Sequence, residues 1–185
     1  MATIVITGQP CSGKSTYISN ELKTHENIKS KNPSHDSRIY HFFSGIKYLG
    51  IFKAKQLLIW SFKEKATFTF KLNLFRSAVS KFGGLNSTSS NVHRFLIDEG
   101  IAHLPFLFLK TNSEKVVDLI LNELKDANVI LLKTPGRNTI HERLHERGHK
   151  RLKFLSISDF AKRNEEIEDI LIRLYPGLCK EFKVI

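Results

Sequence analysis

The stretch Gly8-Gln9-Pro10-Cys11-Ser12-Gly13-Lys14-Ser15, GQPCSGKS, decides how the rest of the chain is read. It fits the pattern G-x-x-x-x-G-K-[ST] at its fixed positions Gly8, Gly13, Lys14 and Ser15. A glycine turn can meet this pattern by chance, so its neighbours carry the weight. Before it runs Ala2-Thr3-Ile4-Val5-Ile6-Thr7, a short β-branched stretch suited to a buried strand. After it, Ile18 and Leu22 recur at helical spacing. Strand, glycine loop and helix stand in the order that a phosphate-binding loop requires.

The chemistry follows from charge. A nucleoside triphosphate is densely negative, and a glycine loop can wrap its phosphates with backbone N–H groups at the positive end of a helix dipole. Gly8, Cys11, Ser12, Gly13, Lys14, Ser15 and Thr16 are the residues expected to hold it. Lys14 would reach the β- and γ-phosphates, and the Ser15 hydroxyl would ligate Mg²⁺. Cys11 fills a free position of the loop; a thiol beside a helix N-terminus can be acidified, but the plainer reading is a filler.

A second signal is Arg94-Phe95-Leu96-Ile97-Asp98-Glu99-Gly100, a hydrophobic strand ending in acids. In a parallel sheet the strand C-termini gather at one edge, so Asp98 is expected near Lys14 and Ser15, where a carboxylate holds Mg²⁺. Glu99 either activates a hydroxyl or water, or orients Asp98. A third signal is residues 141–151, HERLHERGHKR. Arg143, Arg147 and Arg151 form one four-residue row, the histidines a second and Glu142 with Glu146 a third. An arginine-bearing lid here would stabilise a transferring phosphoryl group and exclude water. The plainer alternative is a solvated helix with Glu–Arg pairs. The histidine row lacks the Cys or carboxylate spacing of a metal site.

The remaining elements are read from periodicity and turn residues. Helices are expected over about 14–29, in two pieces over 45–82, and over 113–127, 139–146 and 158–175, the last stopped by Pro176-Gly177. Ser113 is expected to start its helix. Strands are expected at 38–43, 94–100, 128–133 and 182–185, with loops over 30–36 and from Gly83-Gly84 through 86–91. The alternation predicts a parallel sheet with helices on both faces.

The chain has 185 residues and 41% hydrophobic content, enough for one domain with a core. Two cysteines, Cys11 and Cys179, suggest no disulfide framework and a reducing compartment. No signal peptide or spanning helix is expected, which implies a cytoplasmic protein. The net charge of +11 calls for an anionic partner.

In sequence order these motifs resemble the P-loop small-molecule kinases of the nucleoside and nucleotide kinase type, with thymidylate kinase nearest in layout. The resemblance implies one three-layer P-loop NTPase domain over 1–185, with a parallel sheet of about five strands. It implies Mg-ATP as donor, an acceptor-side helical region at about 45–92 and an arginine lid at about 137–152. By position, Lys14 and Ser15 serve phosphates and metal, Asp98 matches the acid after the third strand, and Arg143, Arg147 and Arg151 match lid arginines. Two departures stand out. Asp98-Glu99 replaces the Asp-Arg of thymidylate kinases, and His41-Phe42-Phe43 stands where nucleoside kinases place a Glu after the second strand. Neither nucleobase specificity is supported.

Residues 45–82 hold eight Lys and Arg but one acid, Glu64, with interleaved aromatics. In this layout the segment shapes the acceptor pocket. Its charge suits a small anionic acceptor, single-stranded nucleic acid or an anionic lipid surface; alternatively it is a helical pair with buried aromatics and solvated lysines. The leading function is an ATP-dependent kinase acting on a sugar, nucleoside or nucleotide. A polynucleotide 5′-hydroxyl kinase and a non-enzymatic NTP-binding switch are the alternatives.

Overall fold

The computed structural model describes residues 2–8, 10–24, 28–30, 35–86, 94–125, 127–133, 137–148, 150–174 and 179–184. Strand β1 (Ala2–Gly8) leads into the glycine loop and helix α1 (Lys14–Thr24). Then come β2 (Ile28–Ser30), α2 (His35–Lys63), α3 (Phe68–Asn86) and β3 (Arg94–Asp98). A 3-10 turn (Ile101–His103) runs into the one-turn helix α4 (Leu104–Leu107), followed by α5 (Ser113–Leu124) and β4 (Ala127–Lys133). Next are α6 (Arg137–Arg147), a second 3-10 turn (Lys150–Lys153), α7 (Ile157–Leu174) and β5 (Cys179–Val184).

The strands lie in the order β2-β3-β1-β4-β5, and each neighbouring pair is parallel. Alternation along the strands builds the layers, because successive side chains leave opposite faces. Val5, Val129 and Leu131 join the larger core, together with residues of α2, α3, α5 and α7. Ile6, Ile130 and Leu132 point the other way and meet Ile18 of α1 in a smaller core. Helices therefore cover both faces. With β1 central, its register sets Ile6 beside Asp98 and Gly8 beside Leu132. The glycine loop thus emerges next to the end of β3, where ligands of such sheets bind.

Residues 38–43 are a correction. They belong to α2, not to a strand, and the second strand is Ile28–Ser30, within the segment read as the end of the first helix. The β-branched and aromatic run at 39–43 has strand propensity, but tertiary contact overrides it. His41, Gly45 and Leu49 are buried at a spacing of four, which is the period of a helix. The contrast drawn at His41-Phe42-Phe43 with nucleoside kinases therefore does not hold, since these residues do not follow the second strand.

Gly83-Gly84 is a second correction, since both lie inside α3. A Cβ on Gly83 would run into the backbone of His41, and one on Gly45 into the backbone of Val79. These glycines let α2 and α3 approach backbone to backbone, so the pair signals close contact rather than a turn. Of the loop expected at 86–91, Asn86 ends α3 and 87–91 lie outside the described residues. Inside α2, Gly50 breaks the helical path at φ 68°, ψ 170°.

The other differences are at element ends. Ser113 opens α5 as expected, but the helix ends at Leu124; Asn112 caps its start, its side-chain oxygen accepting from the N–H groups of Glu114 at 2.8 Å and Lys115 at 3.3 Å. Helix α1 stops at Thr24, and β5 begins at Cys179. Pro176-Gly177 lies outside the described residues.

Candidate active site

The site begins where β1 ends. Gly8 has φ 149°, and a Cβ there would sit 2.6 Å from the Leu132 carbonyl oxygen. Only glycine lets the chain turn this close to β4. Ser12 is wholly buried beneath the loop, while Ser15 and Thr16 are exposed at the start of α1. Cys11 is buried and takes φ 67°, a left-handed conformation that costs a non-glycine residue roughly 1–2 kcal/mol. Its carbonyl oxygen accepts a hydrogen bond from Arg143 Nη1 at 3.1 Å.

Lys14 is 6% exposed, and its Nζ donates to the Gly8 carbonyl at 3.1 Å. The same Nζ lies 3.2 Å from Glu99 Oε1. Glu99 follows β3 at φ 49°, and its N–H donates to the Ile6 carbonyl at 3.2 Å, adding one bond beyond the strand. Lys81 of α3 donates to the Glu99 carbonyl oxygen. On the far side, His103 Nε2 stands 3.8 Å from Glu99 Oε1, one helical turn further along the chain. The 3-10 turn carrying His103 is tied to β1 by Thr7 Oγ1, which donates to the Ala102 carbonyl at 3.0 Å.

These neighbours set the charge of Glu99. Burial on its own would raise its pKa. The charges of a protonated His103, of Lys14 and of Lys81, with the hydrogen bond from Lys14, outweigh burial and lower it from 4.5 to about 2. Its carboxyl is therefore ionised at neutral pH.

The opposite wall is α6. Ile140 and Leu144, one turn apart, are buried in the larger core. Their burial turns the adjacent row, Arg143 and Arg147, toward the glycine loop. A cavity of about 550 Å³ lies between the walls. Cys11, Gly13, Lys14, Ser15, Thr16, Glu99, Arg143 and Arg147 line it, so eight of the residues named from sequence meet in one place. Asp98 ends β3 opposite Ile6, and its side chain lies outside the described residues. Arg151 falls in the second 3-10 turn, and its side chain is likewise outside them.

Sequence reading missed His103, Phe106 and Leu107, which also line the cavity, and named Glu146, another lining residue, only within the arginine segment. His103 carried one usable signal, its position four residues after Glu99. Lys81 carried none, because its contact with Glu99 spans elements distant in sequence.

No family model and no curated protein matches the chain. Among solved structures, 23 chains match it. One is a deoxyadenosine kinase from M. mycoides with bound dATP, at TM-score 0.56 and 17% identity, over 100% of this chain and 90% of that one. At that identity the likeness is one of fold. The chain therefore shares the fold of that deoxyadenosine kinase.

Proposed function

We propose that this protein transfers the γ-phosphate of ATP to a hydroxyl or phosphate group of a small acceptor: a sugar, nucleoside or nucleotide. One observation carries the proposal. Lys14, Glu99, Arg143 and Arg147 meet around a single cavity at the mouth of the glycine loop. Such a cluster suits phosphoryl transfer, in which catalysis is mostly positioning and charge stabilisation. The likeness to a deoxyadenosine kinase favours a nucleoside among the acceptors.

Each group has a task. The loop N–H groups and Lys14 hold the β- and γ-phosphates. Arg143 and Arg147 on α6, the lid, offset charge on the transferring group. The acceptor oxygen bonds to the γ-phosphorus as the bond to the β–γ bridging oxygen breaks, releasing ADP. Asp98 or Glu99 orients the acceptor hydroxyl and takes its proton. While paired with Lys14, Glu99 is a weak base. A Lys14 ammonium turned toward phosphates would leave Glu99 more basic, nearer to what proton transfer requires.

The residues also fit Mg²⁺. That ion favours hard oxygen donors, usually one or two carboxylates completed by water and substrate phosphates. Ser15 offers an exposed hydroxyl, and Glu99 a carboxylate that remains ionised. Ser15 with Asp98 or Glu99 would hold the ion, which supplies charge neutralisation of the phosphates.

ADP formation tests this reading. The protein is given Mg-ATP with three acceptor pools: sugars and nucleosides, nucleotides, and 5′-hydroxyl oligonucleotides. The Lys14→Ala variant runs in parallel. Turnover is expected to depend on a small-molecule pool and to vanish in the variant. Turnover with oligonucleotides only, or ATP binding without acceptor-dependent turnover, overturns it.

A further inference from the structure

The face of α2 turned away from the core is apolar. Beyond Gly50 the helix buries Ala54, Leu57, Trp60 and Ser61, and Glu64 just past its end is buried on the same side. The opposite side carries Ile51, Phe52, Ile59 and Phe62, with Ile51 79% and Phe52 87% exposed. The surface continues across the turn, where the 67% exposed Phe68 meets the Phe62 ring edge-on at 5.7 Å. Scattered exposed apolar residues are ordinary, but a contiguous face of this kind marks an interaction surface.

Charge decides what the surface meets. Exposed Lys55 and Lys63 stand among these apolar side chains, Lys65 follows, and Lys71 Nζ lies 6.0 Å from the centre of the Phe62 ring. From residue 38 to 86 the sequence contains a single acid, Glu64. Glu64 is buried, and its Oε1 accepts from the Lys110 N–H at 2.8 Å. The outer surface of the hairpin is therefore apolar and cationic together. A second copy docked face to face would set lysines against lysines, with no acid among residues 38–86 other than the buried Glu64 to pair them. Single-stranded nucleic acid would satisfy the lysines, but it has no apolar interior for Ile51 and Ile59.

From this combination we infer that the outer face of the α2–α3 hairpin docks on an anionic lipid bilayer. Ile51, Phe52 and Phe62 enter the boundary between headgroups and acyl chains, and the lysines meet lipid phosphates and carboxylates. The attachment is peripheral, since no helix among the described residues is long and apolar enough to cross a membrane.

Vesicle flotation tests the inference. The full chain is mixed with phosphatidylcholine vesicles, with or without about a third phosphatidylserine. It is expected to float with the anionic vesicles at least about tenfold more tightly than with the neutral ones, and to detach in high salt. The double variant Ile51→Ser, Phe52→Ser is expected to lose about tenfold or more in binding. Lys55→Glu with Lys63→Glu is expected to lose binding to the anionic vesicles. Circular dichroism of the variants checks that they fold, which the outward position of all four side chains favours. Several results overturn the inference: no flotation, flotation indifferent to anionic lipid or to the variants, a stable dimer abolished by the Ile51 and Phe52 changes, or salt-sensitive oligonucleotide binding in place of vesicle binding.

Discussion

Around the glycine loop, cations of three elements find oxygen close by. Lys14 meets the Glu99 carboxylate and the Gly8 carbonyl, Arg143 meets the Cys11 carbonyl, and Lys81 meets the Glu99 carbonyl. Along the outer side of the α2–α3 hairpin the arrangement differs. Lys53 reaches Glu123 of α5 at 3.6 Å, but Lys55 and Lys63 stand exposed among Ile51, Phe52 and Ile59. Glu64, the single acid from residue 38 to 86, accepts from the Lys110 N–H. The first region is organised from within the chain. The second is the surface inferred above to meet anionic lipid. The two regions should therefore respond differently to substitution.

The largest expected effect separates them by activity. Lys14→Ala is expected to lower turnover by about 10³ or more, roughly 4 kcal/mol in the barrier, as removing transition-state charge stabilisation does. Steady-state ADP release checks it; turnover within tenfold of the parent would break the assignment of this pocket as the active site. Hairpin architecture is tested by Gly83→Leu. Its side chain would collide with the backbone of His41, so a loss of about 3 kcal/mol in unfolding free energy is expected. Urea titration measures it, and an unchanged midpoint would show that α2 and α3 do not touch there.

A smaller effect concerns α6. Arg143→Ala is expected to cost about 10² in kcat/KM, with little recovery in Arg143→Lys, because a lysine lacks the planar fork. Comparison with Arg147→Ala ranks the two; equal and negligible effects would reduce α6 to a solvated helix.

Glu99 gives a pH test. Its pKa falls from 4.5 to about 2 on folding, so the unfolded state binds more protons between those values. The stabilisation is present above about pH 4.5 and is lost as pH falls toward about 2. Glu99→Gln should flatten this part of the acid-unfolding curve, and an unaltered pH dependence would contradict the Lys14–Glu99–His103 geometry.

The smallest expected effect is at Cys11. Cys11→Gly keeps the carbonyl that Arg143 binds and relieves the left-handed φ, while freeing the unfolded chain. The two effects nearly cancel, leaving stability within about 1 kcal/mol of the parent. A melting curve checks this, and Cys11→Ala should gain nothing because its φ is as strained.

Much of the cavity lining was legible because it rests on local spacing. The strand before Gly8, the helix after Ser15, the acid pair closing β3 and the four-residue arginine row are patterns within single elements. Parallel-sheet logic then brings their ends to one edge. His103 and Lys81 were not legible in the same way, because their roles depend on where a 3-10 turn and α3 meet the end of β3.

The α2–α3 hairpin shows the other limit. Its aromatic, β-branched start reads as strand by propensity, and Gly83-Gly84 reads as a break. Both readings fail because propensity is worth at most about 1 kcal/mol per residue, less than the helix–helix contact that Gly45 and Gly83 permit. By itself the sequence determined the glycine loop, the order of the main strands and helices after it, and the charges available to a phosphate. Tertiary structure alone decided that Glu99 pairs with Lys14, that burial of Ile140 and Leu144 turns Arg143 inward, and that α2 presents an apolar face outward. The physical reason is that each of these depends on contacts between residues far apart in the chain, which no local period records.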